Sequence, residues 1–441
     1  MHIRPNRGQD RAELKWNHTR FAAAWLLAMS LCGASSSFAQ APTMPDIDTS
    51  GGADGIVEIP TTAPAVVTGL FSKYTKVVAP NGKPVHIVAM SGVSTDAIVH
   101  ARDVLTQHLT DVAGTQYGGD KSAVFNKMAD NGTMLAIFMD EASKETTAAD
   151  AFMGAGFHAQ DLQFDEIFIE GSAGYMNNDG GSSGGRDASY EEILHLVHDN
   201  GIRTSPDTPS DVDPAPFQAE IRAAADEAIA KMGSTPGRFV TNADWKAEDS
   251  ETQEYLAICL EAYFGIWAHD PNGNGTSGGE EYYANSRGSV RSGDSAGAAL
   301  LEKFFSPFHT YVARIDPSFS GTFSLSFDAS KAYTHKSRYL QHARLRGTNA
   351  SSLVGNGRNN RLTGNDAANS LTGGAGDDEL DGGGGDDTAM FTGLRSDYAI
   401  SRDGAIVTVA DTVSGRDGTD RLTSIENLKF SDQTVVTATL P

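Results

Sequence analysis

Cysteine is almost absent from this chain, which has only 2 cysteines in 441 residues. One of them, Cys32, lies in an N-terminal segment that we expect to be removed, so Cys259 would remain alone. A single cysteine cannot form an internal disulfide. In an exported protein, bound metal ions can stabilise the fold where disulfides do not.

Basic residues are also scarce. The chain has 34 Lys+Arg against 57 Asp+Glu, which gives a formal net charge of -23 at pH 7. Such acidity argues against nucleic acid and anionic membranes as partners, and it suits divalent cations.

The first 39 residues have the pattern of a secretory signal peptide. A basic stretch is followed by an apolar run at residues 21–31, which is too short to span a membrane. Ser37, Phe38 and Ala39 then offer small residues for cleavage. We expect cleavage and export to the outside of the cell, and passage through the periplasm on the way stays an open alternative. No stable membrane span is expected after cleavage.

Two consecutive nine-residue segments near the C-terminus, 373–381 and 382–390, match the pattern G-G-x-G-x-D-x-U-x. This pattern is typical of a parallel β-roll that binds calcium between its turns. Asp378 and Asp387 supply carboxylates, and glycines allow the backbone to turn tightly beside the ion. The glycines that we assign to the calcium sites are Gly374, Gly376, Gly383 and Gly385.

The repeat continues upstream in weaker form. Leu353, Leu362, Leu371 and Leu380 recur every nine residues and predict a thin stacked core. The acidic position becomes Asn360 and Asn369 in the earlier turns. An amide offers an oxygen but no charge, so these turns are expected to bind calcium weakly.

These residues resemble the RTX, or hemolysin-type, calcium-binding repeat family. The resemblance implies an all-β parallel roll over residues 346–390, followed by a β-rich cap over 391–441. It also implies calcium binding and an extracellular location.

The residues between are expected to form an α+β domain at 76–345, after a leader or linker at 40–75. Strands are predicted at 86–90, 134–138 and 164–169, with a helix that begins after Ser94. Further helices are predicted at 188–200, 214–232, 250–267 and 296–305.

The helix predicted at 188–200 carries Glu191, Glu192, His195 and His198. It is similar to the H-E-x-x-H helix of zinc metallopeptidases, with Glu191 in place of the first histidine. The resemblance, which extends to the gluzincins, implies a zincin-like domain in which Glu191 and His195 bind zinc and Glu192 is the general base. Glu254 on the helix predicted at 250–267 is the expected third ligand.

Two other residues near these ligands remain open as alternatives. Glu261 is the reserve for the third ligand, and His198 is a competing ligand on the first helix. The alternative interpretation of the helix at 188–200 is an ordinary amphipathic helix in which Ile193, Leu194 and Val197 are buried.

A second calcium loop is predicted at residues 270–281, which fit the EF-hand pattern D-x-[DN]-x-[DN]-G-x₅-E. Asp270, Asn272, Asn274, Thr276 and Glu281 would supply the oxygen ligands.

Two functions follow from these patterns. The first is a secreted calcium-binding protein with a zinc-dependent endopeptidase domain that acts on proteins or peptides. The second is a non-catalytic, calcium-dependent surface or matrix protein with a degenerate zincin domain.

Overall fold

The computed structural model describes residues 42–177, 186–203, 215–231, 239–248, 250–266 and 282–440. The expected signal peptide therefore lies outside the described residues. The described chain forms a mixed α/β unit followed by a long β-roll.

The α/β unit is built on a five-stranded sheet with the strand order β1-β2-β3-β4-β5. The first three strands pair antiparallel, and β3, β4 and β5 pair parallel. The strands are β1 Val57–Glu58, β2 Lys73–Val78, β3 Pro84–Ala89, β4 Met134–Phe138 and β5 Ala159–Gln163.

Helices surround this sheet. A π-helical turn, His198–Ile202, directly follows the helix Ser189–Val197. The helices are α1 Ala65–Thr68, α2 Thr95–Leu109, α3 Ser122–Asp130, α4 Glu141–Lys144, α5 Thr147–Met153, α6 Ala173–Asn177, α7 Ser189–Val197, α8 Ala215–Ala230, α9 Ala243–Glu248, α10 Glu251–Tyr263, α11 Arg287–Gly293 and α12 Ser295–Phe304.

Several sequence predictions are confirmed here. Strand β4 has the predicted bounds, and α2 begins after Ser94, whose side chain accepts a hydrogen bond from the backbone N–H of Ala97. Successive residues of β4 point to opposite faces of the sheet. Leu135 and Ile137 pack into one apolar core, and Phe138 packs into the other. The sheet is thus covered on both sides.

Residues 42–75 are part of this unit, although their composition suggested a leader. They form α1 and the first edge of the sheet, and Phe71 and Tyr74 are buried. The ring of Phe71 lies 5.2 Å from that of Phe138, centroid to centroid. The many proline, glycine and aspartate residues at 42–64 break up any regular hydrophobic period, so the sequence pattern did not show this segment as part of the core.

The strand predicted at 164–169 is wrong. The edge strand is β5, and residues Phe164–Glu166 form a 3-10 turn after it. Ile167 and Ile169 are nevertheless buried. They pack into the core from a connection, whereas the edge strand itself is largely polar and buries Leu162.

The β-roll consists of two facing sheets, and from residue 309 to residue 390 successive strands alternate between them. One sheet has the order β14-β15-β16-β12-β10-β8-β6, and the other β18-β17-β13-β11-β9-β7. The strands are β6 His309–Arg314, β7 Thr322–Ser324, β8 Leu340–Arg344, β9 Ser352–Val354, β10 Arg361–Thr363, β11 Ser370–Thr372, β12 Glu379–Asp381, β13 Thr388–Met390, β14 Tyr398–Asp403, β15 Ile406–Asp411, β16 Thr419–Thr423, β17 Asn427–Lys429 and β18 Thr434–Val436. A short helix, α13 Thr334–Ser337, precedes β8.

The nine-residue leucine register forms the core of the roll, as predicted. Leu353, Leu362, Leu371 and Leu380 are all buried between the two sheets. Burying a leucine side chain contributes roughly 1.5–3 kcal/mol relative to leaving it exposed. One leucine per strand is a narrow core, so the turns must contribute to stability as well.

The roll is longer than the repeat pattern. It starts at β6, inside the range expected for the α+β domain, because β6 pairs parallel with β8 and β8 with β10. It also continues past residue 390, because β16 stacks parallel on β12 and β17 on β13. Antiparallel strands β14, β15 and β18 then complete the β-rich C-terminal part.

Within the described ranges, none of the helices combines the length and the apolar character needed to cross a membrane.

Candidate metal sites

The turns of the roll hold two buried carboxylate oxygens that lack a hydrogen-bond donor. Oδ1 of Asp378 accepts from the backbone N–H of Asn360 at 2.7 Å, and Oδ1 of Asp387 accepts from that of Asn369 at 2.7 Å. The second oxygen of each, Oδ2, is buried and has no partner among the described residues. Burying an anionic oxygen without a partner is costly, and a bound cation removes that cost.

The same pattern, a carboxylate that accepts from a backbone N–H of an adjacent turn, continues beyond the repeats. Oδ1 of Asp420 accepts from the backbone N–H of Asp378 at 3.0 Å. Oε2 of Glu426 accepts from the backbone N–H of Asp387 at 2.8 Å. Each acidic turn is thus followed by another carboxylate, and neither Asp420 nor Glu426 belongs to the nine-residue pattern.

These carboxylates have raised pKa values. Burial, together with the nearby charge of Asp377, raises the pKa of Asp378 to about 7. Burial and Glu426 raise that of Asp387 to about 6, and burial and Asp378 raise that of Asp420 to about 8. In calcium-free protein the turns therefore resist full ionisation near neutral pH.

The four glycines assigned to these sites have positive φ angles between 85° and 120°. A Cβ on each would lie 2.6 to 2.7 Å from a backbone carbonyl oxygen of the preceding turn on the same edge. Only glycine allows the turns to approach so closely. The carbonyl oxygens next to Gly374, Gly376, Gly383 and Gly385 belong to Asn356, Arg358, Asn365 and Ala367, respectively.

Asn360 and Asn369 use their amides to connect turns directly. Nδ2 of Asn360 donates to the carbonyl of Gln341 at 2.9 Å, and Nδ2 of Asn369 donates to that of Ser351 at 3.1 Å. An aspartate could not make these bonds because it has no donor when ionised. The upstream turns are therefore joined by amide hydrogen bonds where the downstream turns present carboxylates.

The EF-hand-like loop predicted from Asp270, Asn272, Asn274, Thr276 and Glu281 lies outside the described residues. It stays a prediction.

The α/β unit brings Glu191, His195 and Glu254 together. One possible ligand atom from each side chain lies within 4.8 Å of the other two. Glu191 and His195 are four residues apart on α7 and so share a face of the helix. Glu254 comes from the first turn of α10, which packs against α7. Two oxygen donors and one nitrogen donor form a ligand set that zinc accepts.

His195 is buried at the centre of this group. Its Nε2 lies 3.8 Å from Oε2 of Glu254, and its Nδ1 lies 3.6 Å from Oε2 of Glu192. Nε2 has no hydrogen-bond partner among the described residues. Burial opposes protonation of the ring, but Glu254 and Glu192 outweigh it and raise the pKa of His195 to about 10. The surrounding carboxylates thus favour a positive charge at this position.

Neither alternative ligand joins the group. Glu261 is buried, and its Oε1 accepts from Nη1 of Arg186 at 2.8 Å. The two ring nitrogens of His198 lie 2.8 Å from Oδ1 of Asp199 and 2.8 Å from Oε1 of Gln218. Both nitrogens of His198 thus have partners outside the group, and its role as a competing ligand stays a prediction.

Arg186 is a basic residue at this site that no sequence motif indicates. Its guanidinium binds both Glu191 and Glu261 and so connects α7 with α10. It lies just before α7, outside the H-E-x-x-H-like pattern, and only the fold brings it to the site.

Glu192 points to the edge strand of the sheet. Nε2 of Gln160 on β5 donates to Oε2 of Glu192 at 2.7 Å. Burial and the charge of Glu192 raise the pKa of the nearby Glu166 to about 7. Like Arg186, Glu166 lies near the site although no local sequence pattern indicates it.

A buried chain of hydrogen bonds and one ion-pair contact connects the roll with α7. The Tyr311 hydroxyl on β6 donates to Oε1 of Glu170 at 2.7 Å, and Oε2 of Glu170 lies 3.5 Å from Nδ1 of His100. Nε2 of His100 lies 2.7 Å from Oδ2 of Asp187, whose Oδ1 accepts from the backbone N–H of Ser189 at 3.1 Å. The first turn of α7 is therefore tied to a strand of the roll.

Comparison with known families supports the calcium-binding part. Residues 354–389 match the model of the RTX calcium-binding nonapeptide repeat in 4 copies. These residues are RTX repeats, which bind Ca²⁺. Proteins that carry such repeats are typically secreted. The match does not extend to the α/β unit.

A search of the curated proteins finds no match. Among solved structures, the chain is similar to the extracellular lipase LipA from Serratia marcescens, at 11% identity and a TM-score of 0.17. The alignment covers 81% of this chain and 54% of the lipase, so the chain spans about half the length of that protein. A likeness this weak carries no argument about the α/β unit.

Proposed function

We propose that this protein is an exported, calcium-stabilised hydrolase that uses a divalent metal ion, zinc in the first place, to cleave peptide bonds. The observation that carries the proposal is the convergence of Glu191, His195 and Glu254 from two helices. The export is inferred from the signal-peptide pattern of residues 1–39 and from the RTX repeats.

The residues fit a metal ion. Nε2 of His195 is buried and has no hydrogen-bond partner among the described residues, although imidazole nitrogen is a strong ligand. The carboxylates of Glu191 and Glu254 lie beside it and would complete a three-residue ligand set. Catalytic zinc sites commonly use three protein ligands and leave one position open.

Bound there, zinc would polarise both a water molecule and a substrate carbonyl. Glu192 is the group that we assign as the general base, which accepts the proton of the attacking water. Its contact with Gln160 holds the carboxylate in place, and its position beside His195 keeps it close to the ligands. Arg186 would fix the orientation of Glu191.

One observation favours the second, non-catalytic function. Arg186 places a positive charge directly on Glu191, the residue that replaces the first histidine of the zincin pattern. An arginine in this position can neutralise the carboxylates without a metal ion. The α/β unit would then serve as a binding domain on a calcium-dependent roll.

Metal analysis decides between the two functions. We expect the wild-type protein, purified with calcium and dialysed against trace zinc, to hold one zinc ion per chain. His195→Ala is expected to lose this zinc and the hydrolysis of an unfolded protein substrate, because it removes the only nitrogen ligand. Inductively coupled plasma mass spectrometry and a casein assay give the two readings.

The matched control is His158→Ala, which removes an exposed histidine far from the ligand set in sequence. This variant should keep both zinc and activity. If wild-type protein holds calcium but no transition metal after zinc dialysis, the hydrolase proposal is wrong and the non-catalytic function stands.

A further inference from the structure

A groove of about 300 Å³ lies between α2 and the roll, and four of its lining residues are arginines. They are Arg102, Arg314, Arg344 and Arg361, and Thr363 and Asp103 also line the groove. Asp103 is the one carboxylate of this lining. Such a local excess of positive charge is unexpected in a chain with a net charge of -23.

The roll itself assembles this cluster. Arg314, Arg344 and Arg361 come from β6, β8 and β10, which are neighbouring strands of one sheet. Arg314 and Arg344 stand directly opposite each other in the β6–β8 register, and Arg344 in turn stands opposite Thr363. Like charges in directly opposite positions destabilise a sheet. The carboxylates of Asp54 and Asp96, which bind Arg314, offset part of this cost.

Only one of the four arginines has an ion-pair partner among the described residues. Arg314 binds Asp54 at 2.9 and 3.0 Å and Asp96 at 3.0 Å. Arg102 donates to the backbone carbonyl of Asp54 at 2.6 Å, which leaves its charge in place.

Arg344 and Arg361 are exposed, and their side chains make no hydrogen bond or ion pair with the described part of the chain. Their guanidinium groups are therefore available to a ligand. A planar guanidinium presents a fork of N–H donors that fits two oxygens of one oxyanion, which a lysine ammonium cannot match.

We propose that this groove is a binding site for a doubly charged tetrahedral oxyanion, a sulfate or phosphate group. Glu379 stands opposite Arg361 in the β10–β12 register, but neither Arg344 nor Arg361 forms an ion pair with the described residues. Their two charges match a dianion. The Thr363 hydroxyl can donate a further hydrogen bond, and Arg314, fixed by Asp54 and Asp96, forms a rigid wall. The group is either a free ion or an ester on a larger molecule.

Isothermal titration with sodium sulfate tests the site. Sulfate is the probe because the roll requires calcium, and calcium phosphate precipitates. Chloride keeps the ionic strength constant, so that screening does not change during the titration. We expect wild-type protein to bind one sulfate per chain, and Arg344→Gln/Arg361→Gln to bind it at least roughly tenfold more weakly, because hydrogen bonds to charged groups are lost.

Arg421→Gln is the matched control. Arg421 is an exposed arginine on β16 of the same sheet and lies outside the groove. It matches Arg361 because both residues stand opposite Glu379, one on each side of β12. It should bind sulfate as the wild type does. Calcium-dependent melting curves of all three proteins establish that each one is folded. No binding to the wild type, or equal binding to all three proteins, would overturn the proposal.

A second titration separates the two sources of the group. If the ligand is a sulfate ester, dextran sulfate binds the wild type more tightly than free sulfate does, unsulfated dextran does not bind, and the double variant loses the interaction. If the ligand is a free ion, dextran sulfate gains nothing over sulfate. Tight dextran sulfate binding that persists in the double variant would show that sulfate esters are recognised elsewhere and would contradict the site.

Discussion

Replacing Asp378 and Asp387 together with asparagine is expected to change stability in opposite directions with and without calcium. In saturating calcium the wild type gains about 2.7 kcal/mol per site when calcium is at a hundredfold excess over its dissociation constant. The variant loses most of this gain because an amide carries no charge. Without calcium the variant should be the more stable protein, because it buries amides instead of unpaired carboxylates.

The stability of the calcium-free wild type is expected to depend on pH. The folded protein holds its protons up to about pH 7 at Asp378 and about pH 6 at Asp387, whereas the ordinary value is 3.8. The folded state thus binds more protons than the unfolded state, so stability falls as pH rises from about 4 to about 7. Asparagine does not titrate, so the advantage of the calcium-free variant grows over this window.

Urea unfolding at pH 5 and pH 8, in EGTA and in calcium, measures all four conditions. Asp403→Asn is the control, since Asp403 is exposed in the β14–β15 hairpin away from the acidic turns. A double variant that is less stable than the wild type in every condition would contradict the assignment of these carboxylates as calcium ligands.

Glu192→Gln is expected to reduce hydrolysis of a protein substrate by roughly 10²- to 10⁴-fold, which is the usual contribution of a general base. Glutamine keeps the size of the side chain but cannot accept a proton. Zinc should be retained, because Glu192 is not one of the three converging ligands. The comparison with His195→Ala, which should lose zinc and activity together, separates the base from the ligands.

Activity and metal content are measured on the same preparations. Glu227→Gln serves as control, because Glu227 is exposed on α8 and pairs with Lys231 at 3.0 Å. Full activity in Glu192→Gln would exclude Glu192 as the base. Loss of zinc in this variant would instead make Glu192 a ligand.

The repeats could be predicted from the sequence because their signal is local. A nine-residue period places Leu362 and Leu371 in the core, and the glycine pattern defines the turns that carry Asp378 and Asp387. The ends of the roll could not be predicted in this way. Strands β6 and β16 lie outside the glycine repeat, and they join the roll through strand pairing alone.

The candidate metal site in the α/β unit was predictable only where helix geometry determines neighbours. Spacing along one helix places Glu191 and His195 together, and Glu254 was expected from its place on a later helix. Arg186 and Glu166 reach the site through tertiary packing, so no local pattern identifies them. His198 was expected on the same face, and in the structure its two ring nitrogens lie 2.8 Å from Asp199 and Gln218 instead of beside His195.

Titration of calcium into chelator-treated protein, followed by circular dichroism and calorimetry, tests the central claim that cations satisfy the buried turn carboxylates. We predict heat of binding together with a gain of β-structure and a rise in melting temperature. Asp378→Asn/Asp387→Asn should show a smaller response in all three. Wild-type protein whose spectrum, heat and melting temperature stay constant up to millimolar calcium would contradict the account.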